Sequence, residues 1–248
     1  MLLLAFPLLA AACGSQHEQR AATPTVSTAT PPAPACSTKL RPLGSTRRAY
    51  VGFAPEGAVA VERPGGRVLA RFAGKNANDY PTAFGIVGVM KKKDCSLLWF
   101  RVQLPIRPNG SVGYVRASSL HVYAVASRIV VDVAAKRLTL FVHGKPKLTA
   151  AVAVGSPATP TPTGRYYVNQ RLVPSDTSGP YGPGAVGVSA FSNVLTGWAQ
   201  GGPIAIHGTN EPWSIGHAVS NGCIRLPNAT LRTVFRLAGT GTPVIIRA

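Results

Sequence analysis

Short apolar runs of strand length, separated by turn residues, dominate the pattern of hydrophobic positions in the second half of this chain. Residues 128–133 and 137–142 are two such runs around a turn at Ala135-Lys136. Further runs follow at 148–154, 161–168, 204–206 and 243–246. Short runs bounded by glycine, proline and similar residues are typical of buried strands. The pattern predicts a mainly β domain over residues 124–248.

Only one segment of this region has the periodicity of an amphipathic helix. In residues 229–237 the apolar positions Leu231, Val234, Phe235 and Leu237 form one side. Asn228 comes directly before them, and asparagine is a favoured N-cap residue. The sequence therefore predicts a single short helix that follows Cys223.

A separate β-rich region is predicted over residues 46–123. Its clearest feature is an apolar run at 98–104, followed by an Asn109-Gly110 turn and a second run at 113–115, which predicts a hairpin. The hairpin resembles the last one of bacterial SH3-like barrels in the spacing of Trp99, Val102, Gly110, Gly113 and Val115. Two interpretations stay open: a module that binds cell wall or peptide, and a spacer packed against the following domain.

The N-terminal segment has the pattern of an export signal. Residues 1–12 are uncharged and mostly apolar, too short to span a bilayer, which takes about 20 residues, but suited to a signal peptide. The run that ends in Cys13 resembles a lipobox, which implies a lipid on Cys13 and an anchor on the outer face of the cytoplasmic membrane. An ordinary secretory signal with an incidental cysteine is the alternative. Residues 13–45, rich in Ala, Thr and Pro, are predicted to form a disordered tether.

Charge narrows the choice of partners. The chain carries 26 basic and 8 acidic residues, a formal charge of +18, which favours anionic surroundings. The basic residues are spread along the chain and no nucleic-acid-binding motif accompanies them. We therefore expect no nucleic-acid partner, and we expect anionic cell-wall polymers or lipid headgroups nearby.

The residues that carry chemistry lie late in the chain. Cys223 follows His207 by sixteen residues. A thiol attacks well only as thiolate, and a nearby imidazole can withdraw its proton. Gly208 and Gly222 leave room for a substrate and let backbone N–H groups turn toward an oxyanion. Arg225 can bind a carboxylate in a bidentate way; the alternative for Cys223 is a buried structural thiol.

These residues resemble the signature of the L,D-transpeptidase (YkuD-like) family, H-G-T…S-[HN]-G-C-[IV]-R. The resemblance covers about residues 125–248 and includes the earlier Thr163-Gly164-Arg165-Tyr166 segment. It implies a β-sandwich and a ping-pong acyl transfer on peptidoglycan, with no cofactor. In that reaction the thiolate attacks the third, diamino-acid residue of a tetrapeptide donor, D-Ala leaves, and an amine of an acceptor stem forms a 3→3 cross-link. No His or Cys pair has the spacing of metal ligands, so no metal is expected.

The resemblance also assigns roles to individual residues. It makes Cys223 the nucleophile and His207 the base, with the Gly208 carbonyl orienting the imidazole and the N–H groups of Gly222 and Cys223 forming the oxyanion hole. Asn221 stands where many relatives have a second histidine. The other residues assigned to the site are Ser220 for orientation and Thr209, Tyr181, Trp198 and Arg225 for substrate binding. Carbapenems are expected to acylate the thiol.

Several alternatives remain open at this stage. The same site can act as an L,D-carboxypeptidase if water reaches the acyl-enzyme, and the third reading is a non-catalytic wall-binding lipoprotein. Residues 172–203 are either a flap over the cleft or a connecting loop. Cys36 and Cys95 either form a disulfide, which an oxidising compartment permits, or remain two free thiols.

Overall fold

A computed structural model of the chain describes residues 35–248. The predicted signal peptide, Cys13 and the first part of the predicted tether lie outside these residues. The elements, in chain order, are β1 (Arg41–Pro42), β2 (Ala49–Phe53), β3 (Ala58–Val61), β4 (Val68–Phe72), β5 (Ala83–Lys91), β6 (Leu97–Gln103), β7 (Val112–Arg116), β8 (His121–Val125), β9 (Ser127–Asp132), β10 (Arg137–Val142), β11 (Lys145–Ala151), β12 (Val154–Gly155), β13 (Gly164–Leu172), β14 (Ala185–Phe191), β15 (Pro203–His207), β16 (Ala218–Ser220), β17 (Ile224–Arg225), α1 (Asn228–Leu237) and β18 (Pro243–Arg247). The predicted mainly β fold, with a short helix after Cys223, is confirmed.

The first sheet contains strands β1 to β8. Its order is β4-β3-β7-β6-β5-β2-β8, with β1 beside β5. The predicted hairpin is the antiparallel pair of β6 and β7, in which Trp99 faces Arg116 and Gln103 faces Val112. Alternate residues of these strands point inward and form a hydrophobic cluster around Phe84, Phe100 and Val102. The sheet thus has a core of its own, and its likeness to SH3-like barrels stays a prediction.

The last part of the predicted tether belongs to this sheet instead. Cys36 and Cys95 form a disulfide with a Cα–Cα distance of 5.0 Å, and the backbone N–H of Cys36 donates to Lys93 O. Strand β1 pairs with β5 through Arg41 and Val89. The disulfide is one of the two alternatives that the sequence left open for these cysteines, whereas composition did not reveal β1, because its pairing depends on a strand far along the chain.

The second sheet has the order β11-β10-β9-β18-β13-β14-β15-β17. Strand β13 connects its two halves: residues 164–167 pair with β18 and residues 168–172 with β14. Both halves and α1 contribute to one hydrophobic cluster, which is the sandwich arrangement that the family resemblance implied. The predicted third strand begins earlier than expected and is divided into β11 and β12.

Helix α1 begins one residue earlier than predicted and is anchored differently. Leu231 and Val234 are fully buried against the sandwich. The side chain of Asn228 does not cap the helix, which follows Pro227. Its Oδ1 instead accepts a hydrogen bond of 2.8 Å from the N–H of Thr209, so a contact with a distant loop replaces the local cap. No helix within residues 35–248 has the length and apolarity needed to cross a bilayer.

The two sheets are in direct contact through β13. The Tyr167 side chain is fully buried, and its hydroxyl donates to Ala83 O at 2.8 Å. Gln103 Nε2 donates to Arg165 O at 2.7 Å. The contacts join the first residue of β5 and the last residue of β6 to β13, so the first sheet packs against the sandwich over part of the strand that joins its two halves.

Candidate active site

The pairing of β15 with β17 determines where the two predicted catalytic side chains lie. The strands are parallel, with Ile206 beside Ile224 and His207 beside Arg225. Ile206 and Ile224 are fully buried in the core, and side chains alternate between the two faces of a strand. Extending the register by one residue places Cys223 level with Ala205, two residues before His207. The thiol and the imidazole therefore belong to the same, outer face of this strand pair.

The imidazole of His207 is buried, with 5% of the residue exposed. Its Nδ1 lies 2.6 Å from Gly208 O, and a carbonyl can only accept, so Nδ1 carries the proton. The ring edge of Tyr181 packs against it at a centroid distance of 4.9 Å. The pKa of His207 is lowered to about 4, mainly by burial and also by the charge of Arg225, while the backbone contacts with Gly208 and Pro180 act in the opposite direction. His207 is therefore neutral at pH 7.

Cys223 is the free cysteine of residues 35–248. Burial raises the pKa of the Cys223 thiol, while a backbone contact with Ala205 and the charge of Arg225 act in the opposite direction. The sulfur has its hydrogen-bond contact with Pro203 O, at 4.0 Å; within residues 35–248 no hydrogen bond joins it to His207. The resting pair is accordingly a thiol and a neutral imidazole.

The turn before Cys223 is held by hydroxyl groups. Gly222 has φ +110°, a conformation that favours glycine. Its N–H donates to Ser220 Oγ at 3.1 Å, and Ser220 Oγ donates to Cys223 O at 2.6 Å. Thr161 Oγ1 donates to Gly222 O at 2.9 Å. Ser220 thus bonds the residues on both sides of the Gly222–Cys223 peptide, and the N–H of Gly222, predicted to face an oxyanion, is engaged within the turn.

Two predicted substrate-binding residues have other partners. Arg225, expected to bind a substrate carboxylate, forms an ion pair with Glu211 of the same chain, and its side chain is 18% exposed. Thr209 is buried, and its Oγ1 accepts from the N–H of Glu211 at 2.9 Å. These contacts fix the loop after His207 and hold a positive charge beside the thiol and the imidazole. Glu211 is the second residue after the H-G-T motif, but nothing in the sequence showed that its carboxylate would meet Arg225.

A groove of about 600 Å³ opens above the thiol. Four of the predicted site residues line it together: Cys223, Asn221, Tyr181 and Trp198. The groove is not lined by His207, Thr209 or Arg225. Asn78 of the first sheet and Gln170 of β13 also line the groove, and the sequence gave no signal for either.

Residues 172–203 are neither a simple flap nor a simple loop. Strand β14 lies in the middle of this stretch and is almost completely buried. The segments on either side of β14 line the groove through residues such as Tyr181 and Trp198, and β14 itself contributes Ala185 and Gly187. Among residues 35–248, no group of three or more His, Cys, Asp or Glu side chains is arranged to hold a metal ion.

Comparisons with known proteins identify the family of the domain that contains this site. Residues 126–246 match the family model described as the L,D-transpeptidase catalytic domain, YkuD. The putative L,D-transpeptidase YkuD of Bacillus subtilis is 37% identical over 124 residues, which are 50% of this chain and 68% of that protein. Its counterpart in Bacillus licheniformis is 34% identical over 119 residues, 48% of this chain and 64% of that protein.

Solved structures include an L,D-transpeptidase from Mycobacterium smegmatis with a TM-score of 0.39 and 21% identity, covering 58% of this chain and 76% of that chain. At this TM-score the structural likeness adds no argument of its own. The sequence matches begin after the first sheet, so they concern the sandwich and its groove.

Proposed function

This chain belongs to the L,D-transpeptidase catalytic-domain family, and from that premise we propose that it cross-links peptidoglycan stem peptides through a thioester on Cys223. The observation that carries the proposal is the thiol at the groove, on the same strand-pair face as a buried, neutral imidazole. A groove of this size accommodates an extended peptide segment, and its lining includes both apolar and amide side chains.

The proposed acylation uses the resting protonation states. The Cys223 thiol turns from Pro203 toward His207, which takes the proton as the sulfur attacks the carbonyl carbon of the third donor residue. A hydrogen bond from Nδ1 to Gly208 O keeps the ring oriented and stabilises the imidazolium. The C–N bond to D-Ala then breaks, the imidazolium returns its proton to the leaving amine, and the acyl group stays on the sulfur as a thioester.

The second step decides between the two enzymatic readings. The side-chain amine of another stem attacks the thioester, loses a proton to His207, and releases the thiol with a new 3→3 amide bond. Attack by water instead yields a tripeptide, which is L,D-carboxypeptidase activity. Both reactions use the same acyl-enzyme, and only products distinguish them.

A muropeptide assay tests the proposal. We expect the purified protein to convert a tetrapeptide muropeptide into cross-linked dimers, detected by mass spectrometry. Cys223→Ala removes the nucleophile and His207→Ala the base, so each should lower turnover by about a thousandfold or more, since the two act as one unit. Their circular dichroism spectra should match that of the wild type.

Each other outcome has a definite meaning. Tripeptide without dimers means trimming. An unchanged muropeptide means a non-catalytic wall-binding protein, and a Cys223→Ala protein with wild-type turnover rules out the thioester.

Covalent capture by a carbapenem is a second expectation. A β-lactam carbonyl resembles the donor carbonyl, so the thiol should open the ring and keep the acyl group. Intact-protein mass spectrometry should show the mass of one drug molecule added to the wild type and none added to Cys223→Ala. An unshifted wild-type mass after prolonged incubation would speak against a reactive thiol.

The cellular setting is part of the same proposal. Attachment to the outer face of the cytoplasmic membrane would be through a lipid on Cys13, outside the described residues. A formal charge of +18 supports attraction to anionic lipid and wall polymers as the second attachment that a single lipid needs.

A further inference from the structure

One wall of the groove is a loop whose two ends meet. This groove-wall loop comprises residues 192–202, between β14 and β15. The N–H of Ser192 donates to Gly202 O at 2.8 Å and closes the loop, and Ser192 Oγ accepts from the N–H groups of Val194 and Leu195. Leu195, Trp198 and Gln200 face the groove that contains Cys223. A closed loop of this length is an Ω-loop, packed mainly by its own residues.

The groove-wall loop gains little from burial. Val194 is 52% exposed and Trp198 is 53% exposed. Gln200 has φ +54°, a left-handed conformation that costs a non-glycine residue energy. A surface loop with few buried apolar contacts opens easily unless other groups hold it. Its position over the groove must therefore come from contacts outside the loop.

Arg107 of the first sheet supplies the first of these contacts. It lies in the turn between β6 and β7, and its Nη2 donates to Ser192 O and to Gly201 O, both at 2.7 Å. The two carbonyls belong to opposite ends of the groove-wall loop, so one guanidinium joins them. Its charge strengthens both hydrogen bonds. Within residues 35–248, Arg107 has no acidic partner that competes for it.

Asn109, in the same turn, holds the start of the loop. Its Oδ1 accepts from the N–H of Phe191 at 2.9 Å, and its Nδ2 donates to Phe191 O at 2.7 Å. Nδ2 also lies 3.0 Å from Asn193 Oδ1. One amide side chain thus satisfies both backbone groups of the last residue of β14, as a neighbouring strand would.

Asn78 holds the far side of the loop from a second turn of the first sheet. Gln200 Nε2 donates to Asn78 Oδ1 at 2.8 Å, and Asn78 Nδ2 is shared between Gln200 Oε1 and Gln170 Oε1. Asn78 also lines the groove itself. Gln200, the loop residue in the left-handed conformation, is therefore held by hydrogen bonds to the first sheet.

We propose that the first sheet is a working part of the substrate groove, in which Arg107, Asn109 and Asn78 position the groove-wall loop against the bound peptide. This inference rests on the proposed function. It favours a structural partner of the catalytic unit over an independent wall-binding module. Arg107 and Asn109 are positioning residues, because they act on substrate through the loop, whereas Asn78 holds the loop and also lines the groove.

The test compares Arg107→Ala with Arg116→Ala. Arg116 is a matched control, because it belongs to the same sheet and its replacement by alanine removes the same charge. Its guanidinium stacks on Trp99, as that of Arg107 stacks on Phe191. We expect Arg107→Ala to speed hydrogen exchange of amides in residues 193–201 by about tenfold or more, since it frees two charge-assisted bonds. KM for the tetrapeptide should rise by about tenfold with kcat nearly kept, because the loop binds substrate but takes no part in bond breaking.

Further variants make the result decisive. Arg107→Lys should restore part of the exchange protection and bring KM part of the way back to the wild-type value. An ammonium reaches one carbonyl but lacks the planar, forked donors of a guanidinium. Exchange and KM in Arg107→Ala that equal those in Arg116→Ala would overturn the proposal. If Arg107→Ala unfolds at the assay temperature, Asn109→Ala poses the same question at the start of the loop, since Asn109 holds Phe191 and does not line the groove. A wild type without turnover contradicts the proposed function alone, because hydrogen exchange still decides whether the first sheet holds the loop.

Discussion

At the scale of single residues, the thiol and the imidazole of the site are both uncharged at rest. Burial keeps His207 unprotonated and the surroundings of Cys223 keep its thiol protonated. Arg225, fixed by Glu211, opposes protonation of the imidazole and favours the thiolate. In the proposed acylation, the nucleophile therefore forms as the proton moves to His207 during attack and is not already present as a stable thiolate.

This arrangement predicts the acid limb of the pH profile. A base must be unprotonated to act, and burial lowers the pKa of His207 to about 4. We expect kcat/KM for acylation to stay level as the pH falls from 7 through 6 and to decline only near pH 4 to 5. The measurement is the rate of carbapenem acylation against pH by stopped-flow or mass spectrometry. A midpoint near 6.5 would mean an exposed, ordinary histidine.

Residue types that the chemistry requires could be read from the sequence, whereas their supporting contacts could not. Cys223, His207 and the flanking glycines lie in short motifs, because a nucleophile, a base and room for substrate are local requirements. Thr161 holds Gly222 O from 61 positions away, and Asn228 holds Thr209 from 19 positions away. Such bonds form only once the strands are paired, so no spacing of residues along the chain predicts them.

At the scale of elements, periodicity predicted strands well where the chain is regular. Strand β10 has the predicted bounds, and β9 and β18 differ from prediction by one residue. The buried strand β14 was missed as a separate element because glycine and proline surround it. The turn after β6 was predicted only as a hairpin turn, yet it carries Arg107 and Asn109, whose partners lie 82 to 94 positions away. The sequence shows which residues form a turn, but it does not show which distant segment that turn contacts.

At the scale of the whole molecule, the Cys36–Cys95 disulfide ties the start of the described chain to the first sheet. It links residues 59 positions apart, which restricts the unfolded chain considerably. Replacing both cysteines by serine should lower the free energy of unfolding by about 2–4 kcal/mol, measured by urea denaturation. Cys223→Ser is the control and should leave the stability nearly unchanged. Equal stability with and without the bridge would show that it constrains the unfolded chain little.

Strand β18 lies inside the second sheet, between β9 and β13, although it is the last element of the described chain. The pairing of β9 with β13 through a strand between them therefore depends on residues 243–247, which lie more than 70 positions after β13. Contacts between residues so far apart in the chain slow folding, because a long loop must close before the pairing stabilises it. The sheet that positions the thiol is accordingly expected to form late and as a cooperative unit.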